Sequence, residues 1–540
     1  MTPRRRLAGI GAFTLASALL LTACGDSGSD DGDTTAEGDG AGTGIVTVSS
    51  GEPENPLVPG MTSEVYGGLV VKNIYSGLVY YDADGAVHNE VAESIESDDN
   101  VTWTITLQDG WTFTDGTPVT ASSFVDAWNY AALLSNEQLS QYFFHDFAGY
   151  SDEEDSELEL EVVDELTFTV ELMAPAADFT QWLGYTAFAP LPEAFFEDPD
   201  GFGEKPISNG PYLVEEWSHD DQISLRPNPD YAGEQVPQNG GVDLIAYTSE
   251  DTAYNDLLGN NLDIVPNVPT SAFATFEDQL GDRAVNQPAA LTQVMNVPEW
   301  LEEFQGEAGV MRRAAVSMAI DRESITETLY QGSRTPASDF SSPIVYGWSD
   351  DIPGNEITEY NPDEAKALWD EAQSMDPIDD DYTLQIASNA DSDHQTWIDA
   401  ACNTIRSTLE IGCEFYPYTT FDEFLSDRRS GDVPGIFRGG WQGDWPSMSN
   451  FLGPIYGTGA GSNHHLYSNE AFDDKLREAS LAEDPDEAVT LYKEAQAILF
   501  EDVPGIPLWY QNATAGYSES IENVEFGWDS DPILYQITKE

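Results

Sequence analysis

The chain has 540 residues, 40% of them hydrophobic and 11% aromatic, which is enough apolar material for two or more packed lobes. Its 20 Lys and Arg stand against 98 Asp and Glu, a net charge of −78. A surface this acidic has no basic patch to neutralise phosphates, which excludes nucleic acid as a partner and disfavours direct adsorption to anionic lipid.

At the N-terminus Arg4, Arg5 and Arg6 precede an apolar run from Leu7 to Leu21. The run is about 15 residues long, right for a signal peptide and short of the roughly 20 a membrane-spanning helix needs. It closes on Leu21-Thr22-Ala23-Cys24, which resembles a bacterial lipobox. Residues 1–23 then form a lipoprotein signal peptide. Cys24 becomes the mature N-terminus, carries fatty acyl groups such as palmitate, and holds the chain to the outer face of the cell membrane. Residues 25–43 contain only Gly, Ser, Thr, Ala, Asp and Glu, so 24–44 reads as a solvated tether. Gly25-Asp26-Ser27-Gly28 only imitates a serine-nucleophile motif, since no core surrounds it.

Residues 45–49 predict a first strand, and 68–81 a helix running into a short strand. Asp84-Gly85 signals a hairpin turn. Val101–Leu107 alternates as a half-buried strand does. After the Asp115-Gly116 turn, Thr120 caps a helix over Ala121–Leu134. Leu158–Val163 and Thr167–Leu172 pair as another hairpin. From about residue 290 helices at 309–319, 322–330, 362–372 and 397–409 alternate with strands at 383–387 and 414–417, the pattern of an α/β lobe. Helices at 470–482 and 485–500 precede a strand at 506–510. No internal repeat is found.

Cys402 lies on the apolar face of the 397–409 helix with Ile398, Ile405 and Leu409, and Cys413 opens the next strand. A helix-to-strand disulfide is sterically reasonable in an exported chain and would contribute about 3 kcal/mol. Metal binding is the rival reading, with no histidine near in sequence. The adjacent pair His464-His465 sits in an Asn-containing loop and is expected to face solvent. No G-x-S-x-G, H-E-x-x-H or phosphate-binding Gly-Lys loop supports catalysis or a cofactor. The acidity is spread along the whole chain, which favours a salt-adapted surface over a field aimed at one cationic ligand.

Five blocks in order resemble the peptide-binding (family 5) class of bacterial ABC-transporter solute-binding proteins. They are Trp103–Ala121 (WTITLQDGWTFTDGTPVTA), Asn209-Gly210-Pro211-Tyr212 with Asn228-Pro229-Asp230-Tyr231, Arg312-Arg313-Ala314 with Ala319-Ile320-Asp321-Arg322, Arg438–Trp445 (RGGWQGDW) and Glu501–Leu508 (EDVPGIPL). The resemblance covers residues 45–540. It implies an α/β, two-lobed periplasmic-binding-protein type II fold (cluster C) with a ligand cleft between the lobes. The expected lobes are 45–289 with 506–540, and 290–505, with an extra subdomain near 83–204. The implied protein is a monomeric, non-enzymatic receptor that hands a peptide to an ABC permease.

The resemblance also implies a site. In such proteins the aspartate matching Asp444 pairs with the ligand's α-ammonium, and Gly440, Trp441 and Gln442 line the cleft. His394, Arg438 and Arg428 match bases near the ligand carboxylate. Leu329 stands before Tyr330 where some relatives have a lysine, which leaves peptide length open. A sugar or metal-chelate receptor is the alternative in the same fold. A secreted glycosidase using paired carboxylates is the rival of another class.

Overall fold

The computed structural model describes residues 42–540 except 63, 380, 391–393 and 483–484. The leader 1–23, Cys24 and the tether as far as residue 41 lie outside the described residues. Among the described residues, eleven strands join in one mixed sheet. Numbering the strands of this sheet alone, they are β1 (Ile45–Ser50), β2 (Tyr212–Ser218), β3 (Gln222–Pro227), β4 (Gly241–Ala246), β5 (Ile264–Val265) and β6 (Ala284–Asn296), followed by β7 (Arg334–Pro336), β8 (Thr383–Asn389), β9 (Gly412–Tyr418), β10 (Ile436–Gln442) and β11 (Gly505–Tyr517). Their spatial order is β9-β8-β10-β6-β11-β5-β1-β4-β3-β2, with β7 paired to β11.

The two 13-residue strands β6 and β11 join the lobes. Ala284–Pro288 of β6 pairs with Asn512–Gly516 on the side of β5 and β1, whereas Leu291–Asn296 pairs with Gly505–Gln511 and with β10. The register shifts between Pro288 and Leu291, where proline cannot donate to the ladder. β1–β5 lie on one side of the β6–β11 pair in the sheet and β8–β10 on the other. The parallel pairs β8–β9 and β8–β10 are joined through helices, as parallel strands must be.

Between β1 and β2 the chain inserts a four-stranded antiparallel sheet in the order 92–97, 102–107, 167–171, 160–164. The helix Ala121–Ala132 packs on it, with the Thr120 N–H donating to Ser123 Oγ at 3.1 Å. The core of this insert is aromatic. Trp128 is fully buried among Phe144, Phe147, Phe168 and Phe188, and its Nε1 donates to the Phe188 carbonyl at 3.0 Å. Ring pairs of this kind add about 0.5–1.5 kcal/mol each beyond their buried area.

The predicted elements are present with shifted ends. The helix predicted from Trp397 begins at His394, because His394, Gln395 and Thr396 carry no apolar face for periodicity to detect. The strand predicted at 506–510 continues to Tyr517. Cys402 and Cys413 are disulfide-bonded with Cα atoms 5.2 Å apart, tying that helix to β9.

Candidate ligand-binding site

β10 and the turn after it carry the block Arg438–Trp445. On one side Phe437–Gln442 pairs continuously with Asn296–Leu291 of β6. On the other, β8 pairs with β10 only at Ile436 and Phe437, so among the described residues no strand covers the edge from Arg438 to Gln442. Gly439 faces the interior, where an added Cβ would meet the Asn296 side chain at 2.7 Å and Val294 at 2.8 Å. Gly440 is exposed on the opposite face, where the Arg438 guanidinium lies over the space a Cβ would take.

Asp444 stands one residue beyond this edge. Its N–H donates to Asn450 Oδ1 at 2.9 Å, and Asn450 Nδ2 donates back to its carboxylate at 3.0 Å. Trp441 Nε1 donates to the same Oδ1 at 2.9 Å. Asn450 is fully buried on the helix Met448–Tyr456 and fixes both residues. No base among the described residues pairs with Asp444, and burial pushes its carboxyl up to about 7 against the single opposing bond from Asn450. Its charge is felt by Tyr81, Tyr142 and Tyr185 of the first lobe and its insert, whose phenols burial and Asp444 both push upward. Trp445 packs against Trp182 and Phe143, with ring centroids 5.9 and 6.1 Å away. Gln442 Nε2 donates to the Asp529 carbonyl at 3.0 Å.

The bases gather at the other end. Arg428 lies 5.4 Å from the ring centres of both Phe424 and Phe437. Burial, with Arg438 and Arg429 nearby, pushes its guanidinium down to about 9. Arg438 is pushed down to about 10 by burial and by Arg334. No carboxylate among the described residues forms an ion pair with either. His394 is further off. It accepts from Trp397 Nε1 at 3.2 Å, and Trp397 packs on Trp509, which lies 5.8 Å from the Arg334 guanidinium.

Arg428 and Arg438 thus share one neighbourhood, while the aromatic contacts from His394 lead through Trp397 and Trp509 to Arg334. Leu329 packs partly buried against the second-lobe core. The base that meets Tyr330 is Arg334, 3.8 Å over its ring, a residue that no motif marked. Asn450, Tyr81, Tyr142 and Tyr185 were equally invisible, since their roles arise only when distant segments meet. The expectation of solvent-facing histidines is wrong for His465. It is 0% exposed between Tyr456 and Tyr467, and burial beside Arg428 pushes it down to about 3. An Asn-containing loop reads as surface by composition, yet this one folds inward.

A family model described as "Bacterial extracellular solute-binding proteins, family 5 Middle" matches residues 86–463. The oligopeptide-binding protein OppA of Bacillus subtilis (strain 168) is 25% identical over 530 residues, covering 94% of each chain. The glutathione-binding protein GsiB of Salmonella typhi is 25% identical over 492 residues, 88% of this chain and 91% of that one. Among solved structures, the Escherichia coli murein tripeptide binding protein MppA superposes with a TM-score of 0.78 at 21% identity over 92% of this chain and 98% of its own. DppA from Helicobacter pylori, solved with the peptide STSA, gives 0.78 at 18% identity over 93% and 99%. These neighbours share the two-lobed type II periplasmic-binding fold. With family model, relatives and fold in agreement over most of its length, the chain belongs to the bacterial extracellular solute-binding proteins of family 5.

Proposed function

We propose that the protein is an extracytoplasmic peptide receptor of an ABC importer, anchored through lipid on Cys24, monomeric, and without catalytic activity or cofactor. Its lobes would be 45–289 with 506–540, and 290–505, closing about β6 and β11 on a peptide handed to the permease. Relatives named for binding oligopeptides, glutathione and murein peptides support the ligand class.

One observation carries the reading. Among the described residues, the uncovered edge of β10 has a carboxylate with no base paired to it, Asp444, at one end and two guanidiniums without carboxylate partners, Arg438 and Arg428, at the other. An extended peptide with free termini is complementary to that edge in backbone hydrogen bonding and in both charges. A neutral sugar would leave both ends unpaired, at the cost that buried isolated charges carry.

Calorimetry with a peptide mixture, before and after N-acetylation, tests the ligand class. Free-amine peptides bind and acetylated ones do not; equal binding of both would turn the assignment to a non-peptide solute. The anchor is tested separately. Cys24→Ser releases the protein from membranes or leaves it unprocessed, and an unchanged membrane fraction with no acyl mass on the N-terminus refutes the anchor.

A further inference from the structure

Beside the acidic end of β10 lies a cavity that the peptide edge does not include. Its walls are the end of the helix Val65–Ile74, the strand Val79–Tyr81, the turn Gly184–Thr186 and the returning segment 527–535, so no residue of the second lobe lines it. The aromatic residues Tyr75, Tyr81, Tyr185 and Trp528 and the acidic residues Asp82, Glu90 and Asp529 are among those that line it. The lining base, Lys72, is already ion-paired to Asp529 and lies 3.4 Å from Asp531. Tyr75, a lining residue, is 4% exposed, and its buried hydroxyl has no hydrogen-bond partner among the described residues.

The cavity adjoins the strand end directly. A Cβ added to Gly443 would sit 3.1 Å from the Trp528 ring, and Gln442 holds the Asp529 carbonyl at 3.0 Å. Tyr81 and Tyr185, which wall the cavity, both feel the charge of Asp444. A residue whose α-ammonium rests on Asp444 therefore has this cavity within reach of its side chain.

We propose that the cavity is a subsite for an organic cation, filled by the ammonium or guanidinium side chain of the ligand's first residue. The inference rests on the peptide reading above. Asp529 is held by Lys72, and Glu90 accepts from Tyr231 Oη and Ser76 Oγ. The lining nonetheless carries Asp82, Glu90 and Asp529 against one base, so an alkylammonium or guanidinium gains from the excess negative charge, from the ring faces and from the unpartnered Tyr75 oxygen, which can accept its N–H. An acidic side chain gains nothing comparable, because Lys72 is already held by two aspartates. A purely apolar side chain fills the space but answers neither the Tyr75 hydroxyl nor the excess negative charge of the lining.

The test is calorimetry on the mature chain with tetra-alanine whose first residue is replaced by Lys, Arg, norleucine or Glu. Lys and Arg peptides bind about tenfold or more tighter than the norleucine peptide, and the Glu peptide binds weakest. Tyr75→Phe brings the Lys-to-norleucine ratio toward one while leaving norleucine binding and thermal unfolding unchanged, because that hydroxyl has no partner in the protein to lose. Glu90→Gln lowers the same ratio. Norleucine binding as tightly as Lys, or a ratio that survives both substitutions, overturns the subsite. Failure of all four peptides to bind refutes the peptide reading itself, whereas equal binding of all four removes only the subsite.

Discussion

Asp444 lies just past one end of β10 and Arg438 near the other, and the protein prepares these two ends for charge in different ways. The acidic end is fixed. One buried amide, Asn450, holds both the Asp444 carboxylate and the Trp441 indole, and the neighbouring Trp445 packs on Phe143 and Trp182. The basic end is distributed. Arg428 stacks on Phe424 and Phe437, Arg334 on Tyr330, and Arg438 stands near both. On the proposed peptide reading, the single immobilised carboxylate would define where a ligand begins. The guanidiniums spread over rings would hold an anion wherever it ends, so that direction would be read strictly and length loosely.

The strongest way to break this comparison is at the strict end. Asp444→Asn leaves a ligand ammonium desolvated without its partner, a loss of roughly 3–5 kcal/mol. Affinity for free-amine peptides then drops by about two to four orders of magnitude. The variant should also stop distinguishing acetylated from free peptides. Calorimetry on both forms reads both effects, and discrimination that persists in the variant removes Asp444 from its role.

The distributed end should give less. Arg438→Met removes one charge-assisted contact, about 1.5–3 kcal/mol, which is roughly ten- to a hundredfold in affinity. Arg428 and Arg334 remain to take part of the load. Amidating the peptide carboxylate should cost the wild type a similar factor and the variant less. A loss as large as that of Asp444→Asn would show that the basic end is as strict as the acidic one.

Much of the fold was legible because it is written in periodicity. Asp84-Gly85, Thr120 and the apolar face of Cys402 each found its predicted place. β10 was recognised only as a motif, since Arg438-Gly439-Gly440 breaks the alternation that marks a strand. β6 was missed for a related reason. Proline and two alanines interrupt its middle, and that interruption is where the register shifts between the lobes. At the site, the charged residues carried a signature and their supports did not. Nothing in the text of the chain says that Asn450 holds Asp444 or that Arg334 lies over the Tyr330 ring. His465 misled because composition reports hydrophilicity, and burial is decided by what Tyr456 and Tyr467 enclose.

pH sharpens the comparison further, because only the acidic end titrates near neutrality. With its carboxyl pushed up to about 7, Asp444 in the empty protein is largely protonated below that pH. Binding an ammonium must then expel the proton, so affinity falls up to about tenfold per unit as pH drops below 7. It levels off near 7–8 and declines above about 8, where the peptide amine itself loses its proton. The stability of the empty protein has the opposite sign. The native state holds this proton more tightly than the unfolded chain, so the group's contribution declines as pH rises from its ordinary 3.8 to about 7. Titrating peptide affinity from pH 5 to 9 should show the acid limb in the wild type and its absence in Asp444→Asn. A limb that remains in the variant assigns the titration elsewhere.

The smallest effect belongs to a contact that serves neither end. Asp178, in the insert, accepts from Ser447 Oγ at 3.2 Å and from Ser449 Oγ across the cleft, and the adjacent Ala177 N–H donates to the Ser480 carbonyl at 3.0 Å. Ser449 also takes the Trp445 indole N–H at 3.3 Å, so this contact joins the insert to the segment that carries Asp444. Burial raises the Asp178 carboxyl while the two serines oppose it, which offsets part of what the bonds contribute. Asp178→Ala should therefore cost about 1 kcal/mol of closure, a few-fold in affinity and mostly in the dissociation rate. Both ends of β10 keep their partners in this variant, so acetylated and amidated peptides should lose the same factor as free ones. Stopped-flow dissociation of a labelled peptide measures it. If acetylated and free peptides instead lose different factors, the contact works through Asp444, and the strict end of the cleft extends across the interface into the insert.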